Sequence, residues 1–174
     1  MPISNKPLLC LAVLMALAGC EPGTISEGAD FQRKYSSARK ALEQGNYDSA
    51  IRSYAALIQT AGPLEPRLRL EYAHALLRAS RYDEAAQVAG ALAAGSKGSD
   101  RAAALAVSGT AQHESALADL GAGRTGAATV AKLRAADAAL KEMLAIDDSL
   151  DPLGAMASRR ADIARDLKRL GAGG

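Results

Sequence analysis

Gly45-Asn46-Tyr47-Asp48-Ser49-Ala50 returns further along the chain as Ser80-Arg81-Tyr82-Asp83-Glu84-Ala85, an offset of 35 residues. In both copies a short polar break is followed by tyrosine and aspartate and closed by alanine. Self-similarity at a fixed period of this size marks a repeat architecture, in which one supersecondary unit recurs and buries its apolar face on its neighbours. Apolar residues around each block have helical spacing. Tyr35, Ala38, Ala41 and Leu42 precede the first block, and Ala50, Tyr54, Leu57 and Ile58 follow it. Leu70, Ala73, Leu76 and Leu77 precede the second, and Ala85, Ala89 and Leu92 follow it. Each block therefore reads as the turn of a helical hairpin. Pro63 and Pro66 divide the two units, since proline lacks the backbone donor that a continuing helix needs.

A third unit is predicted because Leu105, Ser108 and Gly109 fall 36 residues after Arg69, Tyr72 and Ala73. Its first helix is expected at about 100–120. A flexible loop, Gly121-Ala122-Gly123-Arg124-Thr125-Gly126, leads to a second helix at 127–146 carrying Leu133, Ala136, Leu140, Met143 and Leu144. Asp147 to Pro152 breaks that helix. A last helix at 153–170, with Met156, Ile163, Leu167 and Leu170 on one face, reads as the cap that a solenoid needs at its end.

Composition agrees with this reading. Hydrophobic residues make up 49% of the 174, much of it alanine, whereas tryptophan is absent and aromatics are only 3%, a balance that favours close helix packing over strands. The fold class expected is all-α, in one domain over 30–170, with repeats at about 31–62, 66–97 and 100–148 and a cap at 153–170.

The repeated block resembles the tetratricopeptide repeat (TPR). That family's small first-helix residue matches Ala38 and Ala73, its turn tyrosine matches Tyr47 and Tyr82, and its second-helix alanine matches Ala50 and Ala85. Lys34 and Arg69 depart from it, standing where the family has a bulky aromatic, and Ser80 stands where it often has glycine. The resemblance implies a short α-solenoid of three TPR-like hairpins whose first helices line a concave groove for an extended segment or a partner helix. Position by position, that groove would present Tyr35, Arg39 and Leu42, then Leu70, His74 and Leu77, then Thr110 and His113.

The N-terminus carries a second signal. Lys6 precedes an uncharged apolar run from Leu8 to Ala18, which has the shape of a secretory signal core. As a helix it would rise about 16 Å, half the thickness of a bilayer's hydrocarbon, too short for a permanent span. The run ends in Leu17-Ala18-Gly19-Cys20, which resembles the bacterial lipobox, where the cysteine thiol accepts diacylglycerol. The resemblance implies cleavage of residues 1–19 and lipidation of Cys20. Each buried acyl methylene then contributes about 0.8 kcal/mol, so the chains hold the protein at a membrane without a transmembrane helix. Residues 20–29, rich in Gly, Pro and Ser, read as a flexible tether. Cys10 lies within the cleaved segment, leaving Cys20 without a disulfide partner. Lipoproteins retained at the inner membrane tend to have aspartate after the cysteine; Glu21 stands here, which implies the outer membrane, facing the periplasm.

Motifs of catalysis do not emerge. His74 and His113 lie on different predicted helices without a cysteine or carboxylate at ligand spacing, so no metal site is expected. No nucleophile elbow, phosphate loop or dinucleotide fingerprint occurs. Asp147, Asp148 and Asp151 lack the glycine and terminal glutamate of a calcium loop and read as helix-terminating acids. Arg159, Arg160, Arg165, Lys168 and Arg169 read as the solvated face of the last helix. A formal charge of +2 is too small for a field that holds nucleic acid. The expectation is a non-enzymatic scaffold with no cofactor and no small-molecule substrate. It resembles lipoproteins that help assemble a Tad-like or type IV pilus, or a secretion machine, with a secretin or pilus component as partner. The alternative is a general envelope adaptor for outer-membrane protein assembly or for peptidoglycan enzymes.

Overall fold

The computed structural model describes residues 22–173. The predicted signal segment, Leu17-Ala18-Gly19 and Cys20 lie outside the described residues. Among the described residues there are seven α-helices and no strand: α1 (Pro22–Glu43), α2 (Tyr47–Ile58), α3 (Glu65–Arg78), α4 (Tyr82–Gly95), α5 (Gly98–Gly121), α6 (Ala127–Ile146) and α7 (Ala155–Arg169), with single 3-10 turns at Gly62–Leu64 and Asp148–Leu150. The protein is all-α. Each helix packs on the next in sequence, and α3 on α5 and α5 on α7 also touch, so successive first helices lie side by side.

Both quoted blocks are turns, and backbone geometry explains why. Gly45 has φ +78°, Asn46 N–H donates to Ala41 O at 2.9 Å, and Gly45 N–H donates to Leu42 O at 3.2 Å. This left-handed cap satisfies carbonyls that the end of a helix otherwise leaves free. The second block repeats it with Ser80 at φ +60°, Arg81 N–H on Leu76 O at 2.9 Å and Ser80 N–H on Leu77 O at 3.1 Å. Ser80 is thus a side-chain-bearing residue in the conformation that glycine adopts freely. Ser80→Gly is expected to raise the unfolding free energy by about 1 kcal/mol, read as a higher urea midpoint at unchanged slope; an unchanged midpoint would mean that the serine carries no strain.

The same cap recurs at Gly123 (φ +74°), with Arg124 N–H on Asp119 O at 2.8 Å, and at Gly171 (φ +67°), with Ala172 N–H on Leu167 O at 2.9 Å. Helices α1, α3, α5 and α7 therefore end alike. Seven residues before each cap stands an alanine: Ala38, Ala73, Ala116 and Ala164. The first three are fully buried against α2, α4 and α6. Ala164 is exposed, since among the described residues no later helix packs on α7. Helix α7 is built as a first helix and packs on α6 and α5.

Close helix approach rests on small residues. Ala50, Ala85, Ala89, Ala102 and Ala136 are also fully buried, and the larger side chains Tyr54, Leu68, Leu76, Leu133, Leu140, Met143 and Ile163 fill the space between them.

One boundary differs from expectation. Helix α1 begins at Pro22, so residues assigned to a flexible tether over 20–29 are helical from 22 onward. Proline suits a first helical position, and Asp30 pairs with Arg33 at 2.9 Å and Lys34 at 2.6 Å along the helix, each pair contributing about 0.2–0.5 kcal/mol against the roughly 1 kcal/mol cost of each internal glycine. Pro66 stands in the first turn of α3, where the second unit was expected to begin. The third unit's first helix, expected at about 100–120, spans Gly98–Gly121; only its register differs, since its cap, Gly123, lies 43 residues after Ser80 and not 36. The glycine-rich loop there is no free linker: Arg124 is fastened to Asp119 by hydrogen bonds of 2.9 and 2.6 Å, and Thr129 Oγ1 donates to Arg124 O at 2.9 Å.

Candidate partner-binding groove

The predicted groove residues fall into three places. Nearest the N-terminus, Tyr35 packs edge-on against Tyr54, ring centroids 6.5 Å apart. Its hydroxyl reaches Glu71 on α3 at 3.5 Å, and Arg39 reaches the same carboxylate at 3.4 Å and Glu43 at 3.2 Å. Tyr35 and Arg39 thus reach from α1 to α3 through one carboxylate and are both half-buried. Leu42 is half-buried against the core of the first two hairpins. Leu70 packs with Ala73, Ala89 and Val107 between α3, α4 and α5.

In the middle, His74, Leu77 and Thr110 come together. With Val107, Leu150 and Met156 they line a shallow depression of about 320 Å³ that crosses α3, α5 and the start of α7. Its lining is mainly apolar, with the His74 ring and the Thr110 hydroxyl as polar points; Thr110 Oγ1 also contacts Met156 sulfur at 3.7 Å. His74 keeps an exposed edge, yet desolvation by its apolar surroundings holds its pKa below the ordinary imidazole value, with Glu71 pulling weakly the other way. Beside the depression Leu153 is 93% exposed, the most exposed large apolar residue in the described chain. Sequence reasoning missed Val107, Leu150 and Met156 as groove residues. Val107 was findable, one helical turn before Thr110; Leu150 lies in a 3-10 turn without periodicity.

His113 does not line an accessible groove. Helix α7 runs across it and leaves it 3% exposed. The correction has a plain cause: the face of α5 that continues the groove past Thr110 is the face on which α7 docks.

Of the loop acids, Asp147 ends α6 as read, whereas Asp151 opens a helix and does not terminate one. Asp151 accepts backbone hydrogen bonds from Met156 N–H at 3.0 Å and Ala157 N–H at 3.0 Å, so it caps the first turn of α7, and those bonds hold its carboxyl below the usual range. The basic stripe is largely neutralised: Arg159 pairs with Glu114 at 2.8 Å, Arg160 with Asp137 at 2.7 Å and Arg169 with Asp166 at 3.1 Å, and Arg165 pairs with Asp162.

One polar cluster was not foreseen. Lys132 Nζ donates to Ser115 Oγ at 2.7 Å and Asp119 Oδ2 at 3.0 Å and lies 3.3 Å from Asp83 Oδ1, while Ser115 Oγ donates to Asp83 Oδ1 at 2.6 Å. A serine beside a lysine suggests a nucleophile and its base. The electrostatics oppose that role. Burial lowers the lysine's pKa, but its bonds to Asp119 and Asp83 outweigh the burial and leave it raised. An ammonium has no lone pair to take the serine's proton, which is already given to Asp83. The cluster fastens the start of α4 to α5 and α6. Among the described residues no group of three or more histidines, cysteines or acids stands close enough to hold a metal ion.

These features define a class, an all-α stack of helical hairpins with a shallow, mainly apolar depression between α3, α5 and the start of α7. Beyond that class, neither protein-family models nor curated proteins nor solved structures provide a match to this chain.

Proposed function

We propose that this chain is a lipid-anchored, TPR-like scaffold of the bacterial envelope, held through Cys20 at the outer membrane, which gathers a protein partner in the assembly of a pilus or secretion machine. The observation that carries the reading is a depression in which His74 and Leu77 of the second hairpin meet Thr110 of the third, in mainly apolar surroundings. The recurring turn chemistry of Gly45 and Ser80 supports the solenoid. Apolar lining with a few polar points suits the apolar face of a partner segment, because burying apolar area supplies affinity and scattered polar groups fix orientation. Among the described residues no helix is long and apolar enough to cross a membrane, so attachment in this reading falls to the acyl chains at Cys20.

A photocrosslinking amino acid at Leu77 or Thr110, in the full chain expressed in a Gram-negative host, tests the groove. The expected result is a discrete adduct with one envelope protein, absent when the probe stands at the exposed Lys141 on α6. Equal adducts at Lys141, or none at Leu77 and Thr110, would remove the groove from the proposal. Recovery of an outer-membrane assembly protein or a peptidoglycan enzyme, in place of a pilus or secretin component, would move the function to a general envelope adaptor.

A further inference from the structure

His113 sits where α5 passes beneath α7. Its Nδ1 is 2.9 Å from Arg159 Nη1, and the same Nη1 donates to Glu114 Oε1 at 2.8 Å. A guanidinium has donors only, so Nδ1 must be the acceptor, and the proton of the neutral ring stands on Nε2. Nε2 has no hydrogen-bond partner and faces Asp166 Oδ2 at 4.0 Å. Helix α7 thus offers a cation to one ring nitrogen and a carboxylate to the other, from positions two turns apart on one face.

Other charges around the ring are few. Asp162 on α7 and Glu114 on α5 act on it along with Arg159 and Asp166. On α6, Asp137 is engaged by Arg160 at 2.7 Å. The remaining hold on α7 is apolar: Ile163 is fully buried, and Met156, Leu167 and Leu170 are half-buried beside it.

We propose that His113 is a pH-operated clasp between α5 and α7: neutral, it accepts from Arg159 and keeps α7 seated; protonated at Nδ1 by a proton from solvent, it repels Arg159 and loosens α7. Protonation removes the ring lone pair that the guanidinium uses, leaving it only the Glu114 carboxylate, and sets two cations 2.9 Å apart at a largely buried site. Nε2–H can then turn to Asp166, but that gain lies on one side of the ring only. Burial first, and Arg159 second, hold the imidazole below its ordinary pKa, and the three carboxylates do not make up the difference. The sign follows. A released His113 takes up its proton near pH 6.5, a seated one only at lower pH, so the loosened state binds more protons. Docking of α7 is complete above about pH 6.5 and weakens as the pH falls below it. Because Met156 and Leu150 form one wall of the groove, loosening α7 opens that wall.

Hydrogen exchange of the full chain in detergent micelles, at about pH 7.5 and about pH 5.5 with labelling times scaled for intrinsic exchange, tests the clasp. Peptides from α7 are expected to lose protection about tenfold at the lower pH while those from α2 to α4 do not, and His113→Gln, which does not titrate in this range, is expected to abolish the difference. Equal α7 protection at both values in the wild type, or the same loss in His113→Gln, would overturn the proposal. Should the variant not fold, an NMR titration of the wild type decides. The His113 ring and the α7 amides must then move with one shared midpoint below the ordinary imidazole value, and α7 amides that stay still, or that move only in the carboxylate range, refute the clasp.

Discussion

Gly109→Val is expected to cost about 3 kcal/mol of stability, the large end of an overpacking substitution. A Cβ at Gly109 would stand 2.8 Å from Leu140 Cγ, 2.9 Å from its Cδ2 and 3.2 Å from the backbone oxygen of Ala136. Leu140 is fully buried, so it cannot swing into solvent, and Ala136 O belongs to α6 itself. Helices α5 and α6 must move apart, and the alanine contacts on either side of Gly109 open with them. For a domain whose net stability is about 5–15 kcal/mol, that is a substantial share. Gly90→Ala is the control: its Cβ meets only Ser108 Oγ, at an ordinary 3.6 Å, within a helix where alanine is favoured over glycine by about 1 kcal/mol. Urea unfolding followed by circular dichroism should move the two midpoints in opposite directions. A Gly109→Val chain as stable as the wild type would mean that α5 and α6 are not packed this closely.

Tyr54 gives the second large effect and a sharper contrast. It is fully buried in the first core, edge-on to Tyr35 at 6.5 Å, and its hydroxyl has no hydrogen-bond partner. Burial pushes that hydroxyl's pKa well up, as expected of a phenol without water. Tyr54→Ala removes the largest buried side chain in the described chain and is expected to cost about 4 kcal/mol. Tyr54→Phe removes only an unpartnered polar atom and is expected to be neutral or slightly stabilising, because no bond is lost and a desolvation cost disappears. The same urea experiment reads both. A loss above about 1 kcal/mol in Tyr54→Phe would show that the hydroxyl is hydrogen-bonded after all.

The hairpins were legible in the sequence because their turns have chemistry. Gly45 and Tyr47, with their echoes at Ser80 and Tyr82, fix both the cap and the start of the next helix. The bounds of α6 were legible too, since Gly126 precedes a clean apolar period that ends at Asp147. The extent of α5 was legible as well, since the helix expected at about 100–120 ends at the glycine-rich Gly121-Ala122-Gly123. What the pattern misplaced was register: Ser108 and Gly109 share a helix face with Ser115 and Ala116 two turns on, and only the cap at Gly123 shows that Ala116, not Gly109, stands where Ala73 does. Helix at Pro22 was hidden by Gly23 and Gly28, residues that argue for a tether by composition. For the groove, the resemblance to the tetratricopeptide repeat pointed to His74, Leu77 and Thr110, but it could not tell that α7 would return over His113, because that depends on how a distant segment packs. The polar fastening of Ser115, Lys132, Asp83 and Asp119 was invisible for the same reason: its members come from three helices.

Membrane attachment through Cys20 is the claim on which the proposed function depends most. Envelope fractionation of a tagged wild type beside Cys20→Ala, in a Gram-negative host, tests it directly. The account predicts that the wild type sediments with the outer membrane and that the variant leaves it for the soluble fraction or stays unprocessed, while retaining its helical circular dichroism. A Cys20→Ala chain that still fractionates with the outer membrane as the wild type does would contradict the account.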